Sequence, residues 1–279
     1  MEKLTLSSRI KAINYSFSGT MGVYANDFKG NTIEMHADEC FETASCIKVP
    51  ILATLLRRVH EGKINLKDKI SYTQENYVNG SGILRALSMG LELSILDFAT
   101  LMIIVSDNIA TNTLIELLGI DTVNETCEML GLKVTRLHNK IDFEAYRQLG
   151  TTTPREYAKI FELAYEKKLW NAELSDVFVE ILKKQHYNTM LTKDLTPYYF
   201  NSEDTGDEEL ISIASKSGSM DACRNDGGIF YTPYGGYAIT ILTKEFRDPL
   251  YYSEHESYQF GPKVSRLILD HYLSLEGSF

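Results

Sequence analysis

Apolar side chains recur along this chain in two rhythms, and the switch between them outlines an architecture. Near the start, Leu6, Ile10, Ile13 and Phe17 fall at helical spacing until Gly19 interrupts them, which predicts a first amphipathic helix. Residues 21–26 and 32–40 read as two strands around a turn at Lys29-Gly30-Asn31. From Ser45 to about residue 190 the rhythm is helical. Ile47, Ile51, Leu55 and Val59 form one face; residues 96–105 and 111–118 follow, the latter stopped by Gly119; and Thr153 caps a helix over 154–167. The stretch 203–209 has five acids in seven and no apolar side chain, which predicts a solvated loop. Strand-like patterns return at 211–214, 228–232 and 237–243, the last two joined through Pro233-Tyr234-Gly235-Gly236. Val264, Leu267, Ile268 and His271 mark a closing helix.

Strands at both ends around a helical block predict one discontinuous domain over 1–279. Its α/β lobe is formed by about 1–44 and 191–279, and its all-helical lobe by about 45–190. A cleft between such lobes is a favoured place for a small-molecule site.

Composition narrows the partners. With 28 Lys+Arg against 38 Asp+Glu the net charge is −10, and no basic run exceeds two residues, so a nucleic-acid partner is excluded. No stretch approaches the roughly 18–20 apolar residues of a membrane helix. The start, Met1-Glu2-Lys3-Leu4-Thr5-Leu6, lacks the basic and apolar pattern of a secretory signal; a cytoplasmic location is expected, or a secreted one if a leader preceded it. Four scattered cysteines, Cys40, Cys46, Cys127 and Cys223, make no disulfide framework and no Cys-x-x-Cys pair, and no histidines stand in His-x-x-x-His spacing. Free thiols, no metal, no cofactor and a monomer are expected.

Three short motifs bear chemistry. Ser45-Cys46-Ile47-Lys48 places a hydroxyl and an amine one helical turn apart, where a desolvated lysine can take the serine proton while free N–H groups at the helix start face a developing oxyanion. The same spacing at Ser8-Arg9-Ile10-Lys11 reads as helix surface. Ser106-Asp107-Asn108 by itself reads as a helix cap, and Lys216-Ser217-Gly218 followed by Ser219 as a strand end.

Taken together and in order, the three resemble the signature elements of the penicillin-recognising serine hydrolases, the class A β-lactamases and penicillin-binding proteins, with Ser217 where the family motif has Thr. Gly80-Ser81-Gly82-Ile83-Leu84, residues 97–112, Thr151-Thr152-Thr153-Pro154 and Arg224-Asn225-Asp226-Gly227-Gly228-Ile229 are similar to class A segments, so the resemblance runs from about residue 20 to the end. It implies a two-lobed α/β fold of β-lactamase type, with an antiparallel sheet flanked by the N- and C-terminal helices beside the helical lobe. It also implies Ser45 as acylated nucleophile, Lys48 as its base or proton relay, and Ser106 as the group that passes a proton towards the leaving nitrogen. Lys216 would hold the Ser106 hydroxyl and attract a substrate carboxylate, which Ser217 would also contact. Asn108 would bind the side-chain amide, and the N–H groups of Ser45 and Ser219 would form the oxyanion hole. The two lysines in one cleft should each depress the other's pKa. The family also places an Arg near the carboxylate, and Arg224 is the candidate.

One family element is missing. Between Arg136-Leu137 and Thr151 there is no Glu-x-x-Leu-Asn, the element whose glutamate activates the deacylating water, and the segment is several residues short. Asp142 and Glu144 are its only carboxylates, and both also read as exposed loop acids. His138 and His186 are further candidate bases that read equally as surface, and Cys46 and Cys223 read as cleft wall or core. No cysteine pair matches the family's cross-helix disulfide. The expected function is therefore an acyl-serine hydrolase of β-lactams or related carboxylate-bearing amides, with slow deacylation. The alternatives are a D-Ala-D-Ala peptidase, a small-acyl esterase, or a binding module that kept the fold and lost turnover. Loops at 72–81 and 200–207 would shape the pocket.

Overall fold

The structure is a computed structural model and describes residues 5–145, 148–200 and 210–279. The acidic stretch 203–209, and with it most of the 200–207 loop, lies outside the described residues. The helices are α1 (Leu6–Tyr15), α2 (Lys48–His60), α3 (Ile95–Ile104), α4 (Asn108–Leu118), α5 (Ile120–Met129), α6 (Pro154–Tyr165), α7 (Ala172–Lys183) and α8 (Ser257–Ser274). The strands are β1 (Thr20–Asn26), β2 (Thr32–Met35), β3 (Phe41–Glu42), β4 (Lys69–Ser71), β5 (Glu92–Ser94), β6 (Arg136–Leu137), β7 (Gly150–Thr152), β8 (Ser212–Ser215), β9 (Gly218–Met220), β10 (Cys223–Thr232) and β11 (Gly235–Lys244).

The main sheet runs β2-β1-β11-β10-β8, antiparallel throughout, with β9 also paired to β10. It is built from both ends of the chain. α6 packs on β1, β10 and β11, whereas α8 packs on β11 and α1, so the central strands are covered on both faces. One apolar cluster collects α2–α7 with Ala214, Ile229, Ala238 and Leu242; another lies under α1 and α8. Among the described residues no helix is long and apolar enough to cross a membrane.

α2 is the axis of the helical lobe, buried from Lys48 to Arg57. Val49, Ile51, Leu52, Leu55 and Leu56, fully buried, each contribute about 1.5–3 kcal/mol. That sum offsets the several kcal/mol that placing a lysine at its first turn costs. Pro50 falls within that first turn, where its missing N–H is harmless.

The differences from expectation have local causes. The second strand stops at Met35 because His36 turns into the left-handed region at φ 49. β10 begins at Cys223, five residues before the expected strand, because Arg224, Asn225 and Asp226 are polar yet buried and hide its alternation. β3, β6 and β7 pair in a small sheet, too short to show a period.

Candidate active site

Ser45 sits in one 3-10 turn, Ala44–Ile47, which runs straight into α2. The preceding backbone is clamped from two sides. Thr43 N–H donates to Gly150 O at 3.0 Å, and Asn225 Nδ2 donates to Glu42 O at 2.7 Å and Thr43 O at 3.3 Å. The turn is entered through Ala44 at φ 43, a conformation that costs a non-glycine residue about 1 kcal/mol or more and persists only where the surroundings enforce it. β9 lies against this turn at backbone distance: a Cβ on Gly218 would come within 2.7 Å of the nitrogens of Ser45 and Cys46. Only glycine fits there, and its absent side chain brings Ser219 beside Ser45.

Lys48 is fully buried, and its Nζ lies 2.8 Å from Ser106 O, 2.9 Å from Ser106 Oγ and 2.9 Å from Asn108 Oδ1. The two carbonyl oxygens can only accept, while the hydroxyl can also donate. A neutral amine has two protons and one lone pair, so this set of partners matches it fully. Burial, and after it the nearby charge of Lys216, holds the Lys48 pKa well below the usual lysine value. The repulsion expected between the two lysines thus acts on Lys48 as the second cause after desolvation, whereas the shift of Lys216 comes from burial, with Lys48 not among its causes.

Ser106 also has positive φ, at 52, and Asp107 enforces it. The buried Asp107 carboxylate accepts from Ile83 N at 2.7 Å, Leu84 N at 2.9 Å and Ala110 N at 2.9 Å. Gly82 passes so close that a Cβ there would meet this carboxylate at 2.3 Å. Asn108 N donates to Ser81 O at 3.1 Å, and Asn108 Nδ2 to Asn79 O at 3.1 Å. The Ser-Asp-Asn segment caps α4 through Asp107, as its bland reading requires, while its other two side chains meet Lys48.

Lys216 and Ser217 are the two residues between β8 and β9. Lys216 N donates to Gly227 O at 2.9 Å, and its carbonyl accepts from Tyr157 OH at 2.6 Å. Its Nζ donates to Ser217 O at 2.6 Å, and burial pulls its pKa down to about 8. Among the described residues, no hydrogen bond joins it to Ser106, but Ser106, Lys216, Ser217 and Ser219 line one cleft with Ser45, Tyr187, Thr189 and Tyr251. A second cleft is lined by Ser45, Ser81, Asn108, Ser219, Met220, Leu149 and residues 140–143. The two share Ser45, Ser81 and Ser219. Ser45 therefore stands where two arms meet.

The sequence model of the beta-lactamase enzyme family matches residues 5–272, nearly the whole chain. The chain belongs to this family. It is 32% identical over 111 residues to beta-lactamase SME-1 of Serratia marcescens, a match that covers 39% of this chain and 37% of that protein. The β-lactamase of Sphaerobacter thermophilus superposes with a TM-score of 0.83 at 27% identity, over 95% of this chain and 96% of that one. A class A β-lactamase of Mycobacterium abscessus superposes at 0.82 with 20% identity, over 96% and 98% of the two chains.

Within this β-lactamase family fold, the remaining candidates separate. Arg224 is fully buried and turned to the backbone: its Nη1 donates to Met220 O and, at 3.0 Å, to Cys223 O, and its Nη2 to Pro249 O at 3.1 Å and Leu250 O at 3.2 Å. It lines neither arm. Asp142 lines the second arm but is exposed, and its Oδ1 accepts from Glu144 N at 2.9 Å and Ala145 N at 3.4 Å. Glu144 is exposed and faces a neighbouring groove beside Glu75. His138 and His186 are exposed and line neither arm. Cys46 and Cys223 are buried; burial raises both thiols, that of Cys46 to about 12, so neither is a thiolate nucleophile at neutral pH. Sequence reasoning gave no individual role to Ser81, Leu149, Tyr187, Thr189 or Tyr251; of these only Ser81 lay within a motif.

Proposed function

We propose that this β-lactamase family member is a serine hydrolase that forms an acyl-enzyme with carboxylate-bearing β-lactams or related amides and releases it slowly. The observation behind the first half is Lys48: a fully buried amine whose pKa burial lowers well below the usual lysine value, in contact with Ser106 Oγ at 2.9 Å and one turn after Ser45. Ser45 Oγ attacks the carbonyl carbon and its proton passes to Lys48 Nζ; Ser106 then passes a proton to the departing nitrogen as the C–N bond breaks. The N–H groups of Ser45 and Ser219 receive the oxyanion, Lys216 and Ser217 the carboxylate, and Asn108 the acyl-side amide. Arg224 bears on substrate only through the loop it holds.

Slow release rests on the carboxylates of the cleft. Among the described residues lining either arm, Asp142 is the one carboxylate, and it is exposed and engaged in its own turn. A water beside the acyl-serine therefore has no buried carboxylate among the described residues of the two arms to activate it. A D-Ala-D-Ala peptidase shares the acylation step, and nothing in the site favours it over a β-lactam hydrolase. The four free thiols suit a reducing compartment, which supports a cytoplasmic location.

Incubation with a penicillin, followed by intact mass, is expected to show one equivalent of adduct accumulating, absent in Ser45→Ala and slowed by orders of magnitude in Lys48→Ala. Fast multiple turnover of a chromogenic cephalosporin without adduct would overturn slow deacylation. Labelling of Ser45→Ala at the wild-type rate would overturn the nucleophile.

A further inference from the structure

The arm that holds Lys216 and Ser217 has two tyrosines at its mouth that the acyl-transfer chemistry does not use. Tyr187 is 39% exposed and Tyr251 is 64% exposed, yet both are held in place. Tyr187 OH donates to Val105 O at 3.3 Å, immediately before Ser106. The Tyr251 ring meets the edge of Tyr258 at 6.4 Å and 85°, and the Arg224 guanidinium lies 5.1 Å from its centre. Arg224 also grips the carbonyls of Pro249 and Leu250, the two residues before Tyr251, so the ring is supported from the core. Tyr258 in turn is hydrogen-bonded to Ser219 Oγ, which ties this platform to the wall of the arm. Tyr187 and Tyr251 both line this arm, so the two side chains border a common space.

An exposed aromatic face that is already rigid can be covered by a ligand without the usual cost of ordering a side chain. Once Lys216 and Ser217 fix a carboxylate, the group on the neighbouring ligand atom is projected toward the mouth of the arm. Resting on the acyl-serine reading above, we infer that Tyr187 and Tyr251 form an aromatic slot that selects substrates by the group beside their carboxylate. The slot takes flat or apolar substituents in preference to small ones.

The test uses two cephalosporins with the same acyl arm, one bearing a planar aromatic group and one a methyl group on the ring carbon next to the carboxylate-bearing carbon. Acylation kcat/KM is measured for wild type, Tyr251→Ala, Tyr187→Ala and Tyr251→Phe. A substituent also alters the reactivity of the lactam, so the deciding quantity is how the ratio between the two compounds changes from wild type to variant. Removing the Tyr251 ring is expected to lower that ratio roughly tenfold, with a smaller drop for Tyr187→Ala, while Tyr251→Phe retains it. The exposure of Tyr251 makes a folding defect an unimportant route to this result, and a thermal melt checks it. An identical ratio in wild type and both alanine variants, with all of them acylated, overturns the slot and leaves the acyl-serine reading intact. Failure of both compounds to acylate wild type overturns both, and a preference for the methyl compound that the alanine variants leave unchanged overturns the slot alone.

Discussion

At the scale of single residues, the cleft is made of buried polar groups whose states are set by burial, not by exposed charge. Lys48 and Lys216 are both fully buried, but they are tuned to different ends. Burial holds Lys48 well below the usual lysine range, which favours its role as a proton acceptor, whereas Lys216, at about 8, remains largely a cation at neutral pH. The sign of the pH response follows. Below about pH 8 Lys216 is protonated and attracts a carboxylate; above it the amine is neutral and the attraction is lost. Acylation by a carboxylate-bearing β-lactam is therefore expected to fall on the alkaline side with a midpoint near pH 8, through weaker binding. A neutral ester of the same compound should show no such limb. Stopped-flow or quench-and-mass measurements between pH 6 and pH 10 read this directly, and matching profiles for acid and ester would remove Lys216 from carboxylate binding. That Ser45, Lys48, Ser106, Asn108 and Lys216 gather around one cleft was legible in the sequence only through the resemblance of three motifs to a known family, since each motif alone reads as helix surface, cap or strand end. The direction of Arg224 was not: it is decided by carbonyls of Pro249 and Leu250, 25 and 26 residues further along.

At the scale of elements, the site depends on short irregular segments braced by long regular ones. The Ala44–Ile47 turn, the two-residue break between β8 and β9, and the Gly80-Ser81-Gly82 loop each hold an uncommon backbone shape against α2, β10 and α4. Long elements such as α2 and α6 were legible from their period. The first half of β10 was not, because its polar residues are buried by functional and structural partners on both faces. The connection between β6 and β7 matters most for chemistry. It brings Leu149, 6% exposed, into the wall of the arm that holds Ser45, where the family pattern calls for a glutamate-bearing element. Leu149→Glu would place a partly buried carboxylate in that wall, where desolvation raises its pKa toward that of a useful general base. We expect the lifetime of the penicillin adduct to shorten at least about tenfold, at a cost of a few kcal/mol in stability for burying the new acid. Leu149→Gln is the control, since a carboxamide fills the same space but takes no proton. A folded Leu149→Glu variant that acylates and then deacylates no faster than wild type would show that water, rather than the base, is what this wall lacks.

At the scale of the whole molecule, charge and site oppose each other. The chain carries a net charge of −10, while on the proposed reading the cleft receives a carboxylate at Lys216, whose pKa burial pulls down to about 8. Two surfaces of influence therefore act on an approaching anion: a short-ranged attraction inside the arm and a repulsion extending over the protein surface. At low ionic strength the repulsion reaches further, because the Debye length is about 30 Å at 0.01 M and only about 8 Å at 0.15 M. For a sphere of this size and charge the repulsive potential drops by roughly half a kcal/mol across that range, enough for a two- to threefold change in local anion concentration. Acylation kcat/KM for an anionic β-lactam is thus expected to rise roughly two- to threefold between 0.01 M and 0.15 M salt, the reverse of the response of a site steered by positive charge. A neutral ester measured alongside should stay level, which separates the field from any effect of salt on the fold. A fall in kcat/KM with salt for the anion would mean that the lysines of the cleft dominate the encounter after all, and that the negative charge is placed where an incoming substrate does not pass.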